Sequence, residues 1–287
     1  MKTGYVSIIG KPNVGKSTLL NRLLDTKIAI VGSKPQVTRD RILGILTEDN
    51  CQCCFLDTPG IIKPVYELHR LMVAKIKRAI EDADVIIWMI DPWSGAEDFP
   101  KDLMAAKRGP VICVINKIDL VEKSKLLAII ETLKKINLKE IIPVSALTGE
   151  GVDRLKKIIF EYLPEGPFLY PVEDISDRPE RFFVAELIRE KIFDHFQKEI
   201  PYATCVAIDD FREREKGKDY IRATIYVERP SQKIILVGKH GEALKNIGAE
   251  ARKEIEKFLG RPVFLDLWVK VKENWRKDSK FLKEIGY

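Results

Sequence analysis

Eight residues near the start of the chain, Gly10 to Ser17, constrain its fold more than any other feature. They have the pattern G-x-x-x-x-G-K-S, follow the apolar run YVSII and precede the helical pattern TLLNRLL. A strand, a glycine-rich loop and a helix in this order bind phosphate, because backbone N–H groups and the helix N-terminus face the anion. Lys16 would reach the β- and γ-phosphates of a nucleotide, and the Ser17 hydroxyl would bind Mg²⁺. We predict nucleotide contacts from this loop by Gly10, Asn13, Val14, Gly15, Lys16, Ser17 and Thr18.

Three further short motifs follow in order, each directly after an apolar strand. In DTPG, Asp57 can hold Mg²⁺ through water, and the Gly60 N–H can contact a γ-phosphate. In NKID, Asp119 can accept two hydrogen bonds that guanine donates and adenine cannot, so the pattern favours guanine. The motif SAL places a backbone N–H near the base oxygen. We predict contacts from these motifs by Asp57, Gly60, Asn116, Lys117, Asp119, Ser145, Ala146 and Leu147.

The order of apolar runs and helical patterns in the first part of the chain predicts a doubly wound α/β sheet. A strand near 40–47 is expected to pair with the strand near 51–56 through the turn TEDN. All four motifs would then lie at the carboxyl ends of strands, where such sheets bind ligands. The predicted strands are near 5–9, 40–47, 51–56, 85–90, 111–115 and 141–144, and the predicted helices near 16–24, 68–80, 98–107, 124–135 and 151–162.

The composition of the chain predicts its cellular compartment and argues against a zinc site. The chain has no apolar run long enough to span a membrane and no signal-peptide pattern, so we expect a cytoplasmic protein. The cluster Cys51, Cys53 and Cys54 lacks the second ligand pair that zinc needs, and we interpret these thiols as strand residues. Nothing in the sequence requires an oligomer, so a monomer is expected.

The second part of the chain follows a segment, 163–179, that is rich in proline and has no helical or alternating pattern. Such a segment indicates a linker. We therefore predict a nucleotide domain at 1–165, a linker at 166–180 and a second domain at 181–287. The patterns after the linker are helix, strand, strand, short helix, G-x-x-G, helix and strand. Pro201 is expected to end the first of these helices, whose apolar face is Phe183, Leu187, Ile188, Ile192 and Phe196.

The net positive charge of the chain lies around and beyond the second glycine motif. Lys and Arg outnumber Asp and Glu by 13 to 8 in residues 231–287, which is the footprint of a polyanion site. Basic residues of the tail alternate around Trp268 and Trp275, and aromatic rings can stack on bases. The alternating pattern of the last strand favours a core position for Trp268. We predict RNA contacts by Gly238, Lys239, His240, Gly241, Lys245, Lys270 and Lys272.

These motifs resemble those of a known family. The nucleotide motifs are similar to those of translation-factor-like GTPases, and SKPQVTRDRILG resembles the first switch of the Era family of bacterial GTPases. The pattern V-G-K-H-G-x-x-L-x-x-I resembles the signature of a type II KH domain, whose loop clamps about four single-stranded nucleotides. The resemblance covers the whole chain. It implies a doubly wound P-loop GTPase domain followed by a smaller α+β type II KH domain.

The family also implies an activity and its residues. The protein would hydrolyse GTP to GDP, bind single-stranded RNA near the 3′ end of small-subunit ribosomal RNA and assist assembly of the small ribosomal subunit. Thr38 would close over Mg²⁺ and the γ-phosphate, which makes Ser17, Thr38 and Asp57 the metal residues and Lys16, Thr38 and Gly60 the catalytic ones.

The residue after Gly60 departs from the Ras pattern. Ras-like proteins have a glutamine there that orients the attacking water, and this chain has Ile61, which cannot hydrogen-bond. The resemblance implies another device, a K⁺ ion held partly by Asn13. Intrinsic turnover is expected to be slow.

Two other functions fit the sequence. The first is a constitutive RNA-binding scaffold whose nucleotide is structural, which Ile61 would allow. The second is a GTPase that associates weakly with a membrane surface through the basic C-terminal helix.

Overall fold

The computed structural model describes residues 1–32, 34, 37–105, 107–136 and 138–286. Ser33, Pro35 and Gln36 of the predicted switch motif lie outside the described residues. The described chain divides into two compact units. The first contains residues 1–64 and 69–177, and the second contains residues 65–68 and the chain from 178 onward.

The regular elements follow the predicted order, apart from an additional short helix at Ile200–Ala203. Along the chain they are β1 (Lys2–Gly10), α1 (Lys16–Leu24), β2 (Ile42–Glu48), β3 (Cys51–Asp57), α2 (Glu67–Asp82), β4 (Val85–Ile90), α3 (Lys101–Met104), β5 (Val111–Ile115), α4 (Lys123–Leu133), β6 (Glu140–Pro143), α5 (Val152–Tyr162), α6 (Glu180–His195), α7 (Ile200–Ala203), β7 (Cys205–Arg212), β8 (Asp219–Val227), α8 (Pro230–Val237), α9 (Glu242–Leu259), β9 (Val263–Val271) and α10 (Ser279–Glu284).

The first unit is built on a six-stranded sheet in the order β2-β3-β1-β4-β5-β6. Every neighbouring pair is parallel except β2 and β3, which pair antiparallel as predicted. The central strands β4 and β5 are buried along their whole length, because helices cover both faces of a parallel sheet. The thiols of Cys53 and Cys54 lie inside β3. Because five of the six strands are parallel to one another, their carboxyl ends meet at one edge of the sheet.

One helix of the first unit is much shorter than predicted. The pattern near 98–107 yields only α3, which follows a three-residue 3₁₀ turn at Ala96–Asp98. Pro100 directly precedes α3. Proline inside a helix removes a backbone hydrogen bond and clashes with the preceding turn, which disfavours joining the turn and α3 into one helix.

The segment predicted as a linker is packed against the sheet up to residue 177. The side chain of Gln52, buried in β3, accepts from the Leu169 and Tyr170 N–H groups at 2.8 and 3.0 Å, and donates to the Tyr170 carbonyl at 2.9 Å. The Ile45 N–H of β2 donates to the Ile175 carbonyl at 2.9 Å. Residues 166–177 are therefore an integral part of the first unit.

The second unit has a three-stranded sheet in the order β7-β8-β9. β7 and β8 are antiparallel, and β8 and β9 are parallel. Helices α6, α8 and α9 pack on one face of the sheet. The core that they form with it includes Ile188, Leu236, Ile247, Ile255, Ile225 and Val263. Four of the five residues predicted for the apolar face of α6 are buried, and Phe196 packs at the edge of the same core.

Pro201 does not end the first helix of this unit. α6 ends at His195, and Pro201 lies in the first turn of the short helix α7. Proline suits that position because its missing N–H would have no intrahelical partner there.

The expectations for the two tail tryptophans are wrong. Trp268 was expected in the core and is 55% exposed. Trp275, which the tail pattern suggested as a ring for stacking on bases, is buried and donates its indole N–H to the Ala203 carbonyl at 2.9 Å. Alternation in β9 puts Val269 on the face that the helices cover and Trp268 on the opposite face. None of the described helices is long and apolar enough to cross a membrane.

Gln52→Leu should destabilise the first unit. The change leaves the part-buried N–H groups of Leu169 and Tyr170 without their acceptor, and each such loss costs about 1–2 kcal/mol, since water can reach these groups in part. We expect urea unfolding, followed by circular dichroism, to show a loss of about 2–4 kcal/mol in the free energy of unfolding. The exposed Gln197→Leu is the control and should change stability by less than about 0.5 kcal/mol. Equal stability of the two variants would show that the segment contributes nothing to this unit.

Candidate active site and nucleic-acid interface

A cavity of about 550 Å³ opens at the carboxyl edge of the six-stranded sheet. Its walls come from all four nucleotide motifs and from the segment around Thr38. The predicted site residues that line it are Asn13, Gly15, Lys16, Ser17, Thr18, Thr38, Gly60, Asn116, Lys117, Asp119 and Leu147. The other predicted residues of these motifs support this wall through hydrogen bonds or close packing.

Lys16 lies buried at the base of the glycine-rich loop. Its ammonium group donates to the Gly10 and Lys11 carbonyls at 3.2 and 3.0 Å. Burial lowers the pKa of Lys16 to about 8, although the nearby Asp57 carboxylate opposes the shift. Desolvation thus disfavours the ammonium form, and a phosphate group beside it would supply the missing counter-charge.

Three oxygen-bearing side chains meet beside Lys16. The Ser17 hydroxyl donates to Asp57 Oδ2 at 2.7 Å and lies 2.9 Å from the Thr38 hydroxyl. Asp57 is buried, which raises its pKa to about 6 against the opposing effect of Lys16. Its second oxygen, Oδ1, is buried and has no hydrogen-bond partner among the described groups.

This cluster fits a magnesium ion. Mg²⁺ prefers hard oxygen ligands and uses one or two carboxylates together with waters and substrate phosphates. An orphaned buried carboxylate oxygen costs free energy unless a cation or water compensates it. Ser17, Thr38 and Asp57 would hold the ion, directly or through water.

Asn116 joins three of the motif loops. Its Nδ2 donates to the Val14 carbonyl at 2.8 Å, and its Oδ1 accepts from the Ala146 N–H at 2.8 Å. The Ser145 hydroxyl accepts from the Thr148 N–H at 3.2 Å and shapes the same turn. The phosphate loop and the predicted base loop are therefore held in one geometry.

The structure adds Arg22, which the sequence analysis missed. Its guanidinium donates to the carbonyls of Ala146 and Leu147, at 3.3 and 2.5 Å. These carbonyls belong to the SAL motif, whose backbone must be oriented toward the base. An arginine near the end of α1 ordinarily indicates a solvated charge, so no local signal could have identified it.

Lys117 of the NKID motif is held by a loop that the sequence analysis also missed. Its backbone is left-handed, with φ 63°, and its ammonium group lies 3.7 Å from Asp91 Oδ2 and 5.9 Å from the ring centre of Trp93. The other oxygen of Asp91 accepts from the Trp93 N–H and the Ser94 hydroxyl, at 3.2 and 3.0 Å. The loop after β4 thus braces the wall of the base pocket.

Ile61 and Gly60 occupy positions that leave little freedom. The Ile61 N–H donates to the Gly10 carbonyl at 3.0 Å, and its side chain packs against the apolar core. A Cβ at Gly60 would lie 2.7–2.8 Å from atoms of Pro12, so any side chain there would displace the phosphate loop. The Ile61 side chain cannot orient a water molecule.

The second glycine motif connects α8 to α9. Gly238, His240 and Gly241 all have positive φ, at 73°, 52° and 81°. A Cβ at Gly238 would lie 2.7 Å from that of Ala243, whereas the space around Gly241 is open. The loop turns tightly on its inner side and remains accessible on its outer side, at the N-terminus of an 18-residue helix.

The predicted RNA-contacting lysines differ in their surroundings. Lys239, Lys245 and Lys270 are exposed. Lys272 pairs with Asp278 at 3.1 Å and lies 5.2 Å from the ring centre of Phe281. Its charge already has an internal partner, and its role in RNA binding stays a prediction.

Comparison with known proteins agrees with both halves of the chain. Residues 5–117 match a family described as 50S ribosome-binding GTPase, and residues 199–276 match the KH domain family. GTPase Era from Lactobacillus helveticus is 47% identical over 289 residues, which cover 100% of this chain and 96% of the relative. GTPase Era from Geotalea uraniireducens is 47% identical, with 100% of this chain and 98% of the relative covered.

Two crystal structures are similar over the whole chain. One is a variant of Aquifex aeolicus Era bound to GDP·AlF₄⁻, and the other is Era in complex with MgGDPNP and nucleotides 1506–1542 of 16S ribosomal RNA. Each is 43% identical with a TM-score of 0.96, and each comparison covers 100% of this chain and 99% of the other.

Asp91→Asn should weaken nucleotide binding without changing the chemical step. The change removes the charge that faces Lys117 but keeps the shape of the loop. We expect the Kd for GDP to rise by roughly twofold to fivefold, since partly exposed ion pairs contribute at most about 1 kcal/mol. Fluorescent GDP titration gives the Kd, and turnover at saturating GTP should equal that of the wild type. The control is the exposed Glu97→Gln on the same loop. An unchanged Kd for Asp91→Asn would show that the contact between Asp91 and Lys117 does not support nucleotide binding.

Proposed function

This chain belongs to the GTPase Era family, and we propose that it is a GTP-controlled switch that binds single-stranded RNA near the 3′ end of small-subunit ribosomal RNA and assists assembly of that subunit. The observation that carries the proposal is the presence, in one chain, of two glycine loops that each precede a helix N-terminus, a geometry suited to binding phosphate. One faces a cavity with the residues of a guanine site, and the other lies at the N-terminus of a KH helix. In this role the protein would act in the cytoplasm as a monomer.

The GTPase reaction converts GTP and water to GDP and phosphate. Lys16 would contact the β- and γ-phosphates, and the Gly60 N–H would donate to the γ-phosphate. Mg²⁺ held by Ser17, Thr38 and Asp57 would neutralise charge on the phosphate oxygens. These residues bind and orient the reacting group, which is most of what catalysis of phosphoryl transfer requires.

The water-positioning side chain of Ras-like enzymes has no counterpart at Ile61, so we propose a slow intrinsic rate. We further propose that K⁺ contributes to charge neutralisation at Asn13. Asn13 supports this role because it lines the cavity from a left-handed backbone position, with φ 65°.

Guanine selection rests on Asp119. Its carboxylate lines the cavity next to Lys117, and it would accept hydrogen bonds from the ring N–H and the amino group of guanine. Adenine cannot donate in this pattern, and the unpaired carboxylate would penalise it.

The switch would depend on the γ-phosphate. Thr38 and Gly60 line the cavity from two different segments, and both would contact this phosphate or its metal ion. Hydrolysis removes the shared ligand, and segments held in this way are released in other GTPases. We propose that the affinity for RNA falls as a result.

The RNA site would be the KH groove. A KH loop clamps the backbone of about four nucleotides while bases occupy an adjoining apolar groove. Gly238 and Gly241 would allow close approach of the backbone, and Lys239 and Lys245 would supply charge. The Era complex with 16S ribosomal RNA supports the choice of RNA, since this chain resembles that protein over its full length.

One alternative keeps a specific observation in its favour. Ile61 would suit a constitutive RNA-binding scaffold whose nucleotide is structural. The alternative of membrane association is less well supported, because Phe281 and Leu282 of α10 are buried in the second unit.

The switch predicts that RNA affinity depends on the nucleotide. We expect an oligonucleotide from the 3′ end of small-subunit ribosomal RNA to bind about tenfold more tightly with GDPNP than with GDP, a coupling of about 1.4 kcal/mol. Fluorescence anisotropy at one fixed salt concentration measures both affinities. Equal affinities would favour the scaffold, and no binding in either state would contradict the RNA site.

Gly241→Asp should weaken RNA binding and spare basal GTP hydrolysis. The position is open, so the carboxylate would face the bound phosphates and repel them. We expect at least a tenfold loss of RNA affinity in the anisotropy assay.

Gly260→Asp is the matched control, because Gly260 also has positive φ and open space but lies at the opposite end of α9. It introduces the same backbone strain without the same charge near RNA. An equal loss of affinity in both variants would attribute the effect to strain and contradict the assignment of the loop.

A further inference from the structure

The outer face of the sheet in the second unit carries a group of three aromatic side chains that no function above uses, while Tyr226, further along the same face, packs on Phe281 of α10. β9 places Phe264 and Trp268 on this face, where they are 56% and 55% exposed. β8 places Tyr220 beside Phe264, with ring centres 5.9 Å apart and planes 12° apart. Exposed aromatic groups of this size often mark an interaction site.

One carboxylate positions two of these rings. Asp266 Oδ2 accepts from the Tyr220 hydroxyl at 3.1 Å and from the Trp268 indole N–H at 3.0 Å. The polar atoms of both side chains are therefore satisfied within the unit, and what remains for a partner is the surface of the rings. Because hydrogen bonds already fix these side chains, binding a ligand would cost little side-chain conformational entropy.

The rings provide two separate contact points. Phe264 and Trp268 are four residues apart on the same face of a strand, which corresponds to about 13 Å at a rise of about 3.3 Å per residue. Asp266 lies between them. This arrangement suits a ligand with flat groups at intervals along an extended chain.

The charges of this face are balanced. Arg212, Arg222 and Lys270 are matched by Asp209, Asp210 and Asp266. Arg212 pairs with Asp210 at 2.8 Å, and Asp209 accepts from the Thr224 hydroxyl at 2.6 Å. The face cannot attract a polyanion by itself, so it would act on a strand that is already held nearby.

Such a strand would come from the opposite side of β9. There Leu267 packs beside Gly248 of α9, the helix that follows the glycine loop, and a Cβ at Gly248 would lie 3.3 Å from the leucine. β9 is the edge strand of the sheet, so one strand width separates this groove from the outer face. The groove accommodates about four nucleotides, whereas the related Era complex contains nucleotides 1506–1542.

We propose that the outer face of β9, with Phe264, Trp268 and Tyr220, is a base-stacking site for the single-stranded RNA that continues beyond the KH groove. The proposal rests on the proposed RNA-binding function. Stacking on aromatic rings tolerates any base sequence, because every base has a flat face.

Anisotropy with two oligonucleotides tests the site. One has the few nucleotides that fill the KH groove, and the other extends it by several nucleotides on each side. Trp268→Ala and Phe264→Ala should each weaken the long RNA at least about fivefold and leave the short RNA unchanged. Trp268→Phe should retain most of the affinity, and Trp268→Leu should not, because leucine is apolar but has no π face.

Controls separate this proposal from the RNA-binding function itself. Leu127→Ala removes an exposed apolar side chain, 64% exposed, from the first unit and should change neither affinity. Gly241→Asp should weaken both RNAs. If the wild type binds neither RNA, the proposed function fails. If it binds both and the aromatic variants bind the long RNA equally well, the stacking site is overturned while the KH groove stands.

Salt dependence provides a second readout. The fold loss caused by Trp268→Ala should be the same at low and high salt, since stacking releases no counterions. A loss that diminishes as salt rises would show that the variant acts through phosphate contacts, and would overturn the stacking site.

Discussion

The buried amide of Asn116 holds together the loops on which nucleotide binding depends. It donates to the phosphate loop at Val14 and accepts from the base loop at Ala146. The two loops can approach only because Gly15 lacks a side chain, since a Cβ there would lie 2.2 Å from the Asn116 amide nitrogen. Each group left unpaired by its loss would cost about 1–3 kcal/mol. One side chain thus fixes the distance between the phosphate and base ends of the pocket.

The same edge of the sheet concentrates charge that folding alone does not neutralise. Lys16 and Asp57 are both buried. Burial lowers the pKa of Lys16 and raises the pKa of Asp57, which favours the neutral form of each side chain. Keeping both groups charged in the interior costs desolvation free energy that their mutual attraction offsets only in part. Nucleotide and metal ion would relieve this, because they bring the opposite charges to positions that are already formed. Burying these charged groups lowers the stability of the ligand-free fold. Binding of nucleotide and metal ion to the folded state would raise the free energy of unfolding.

The sequence was sufficient where a pattern is local and insufficient where a contact is distant. Continuous apolar runs identified β4 and β5, and the short motifs could be placed at strand ends, because both signals lie within a few residues. Arg22 and Asp91 could not be identified from the sequence, because each contacts a residue more than twenty positions away. For Trp268 and Trp275, hydrophobicity alone could not show which side of the sheet the helices would cover. The proline-rich segment was interpreted correctly as irregular, but the acceptor that holds it, Gln52, is more than a hundred residues earlier.

That segment also changes the character of an edge of the sheet. β2 is the outermost strand beside β3, and exposed edge strands invite pairing with other chains. The Ile45 N–H and the Leu43 carbonyl are taken up by Ile175 and by the Ser176 hydroxyl, so residues 175–176 act as a cover over this edge. A GTPase fragment cut at residue 165 would keep every nucleotide motif and lose that cover. Such a fragment would expose the edge of β2 to pairing with a second copy, whereas a domain that continues through Asp177 keeps that edge covered.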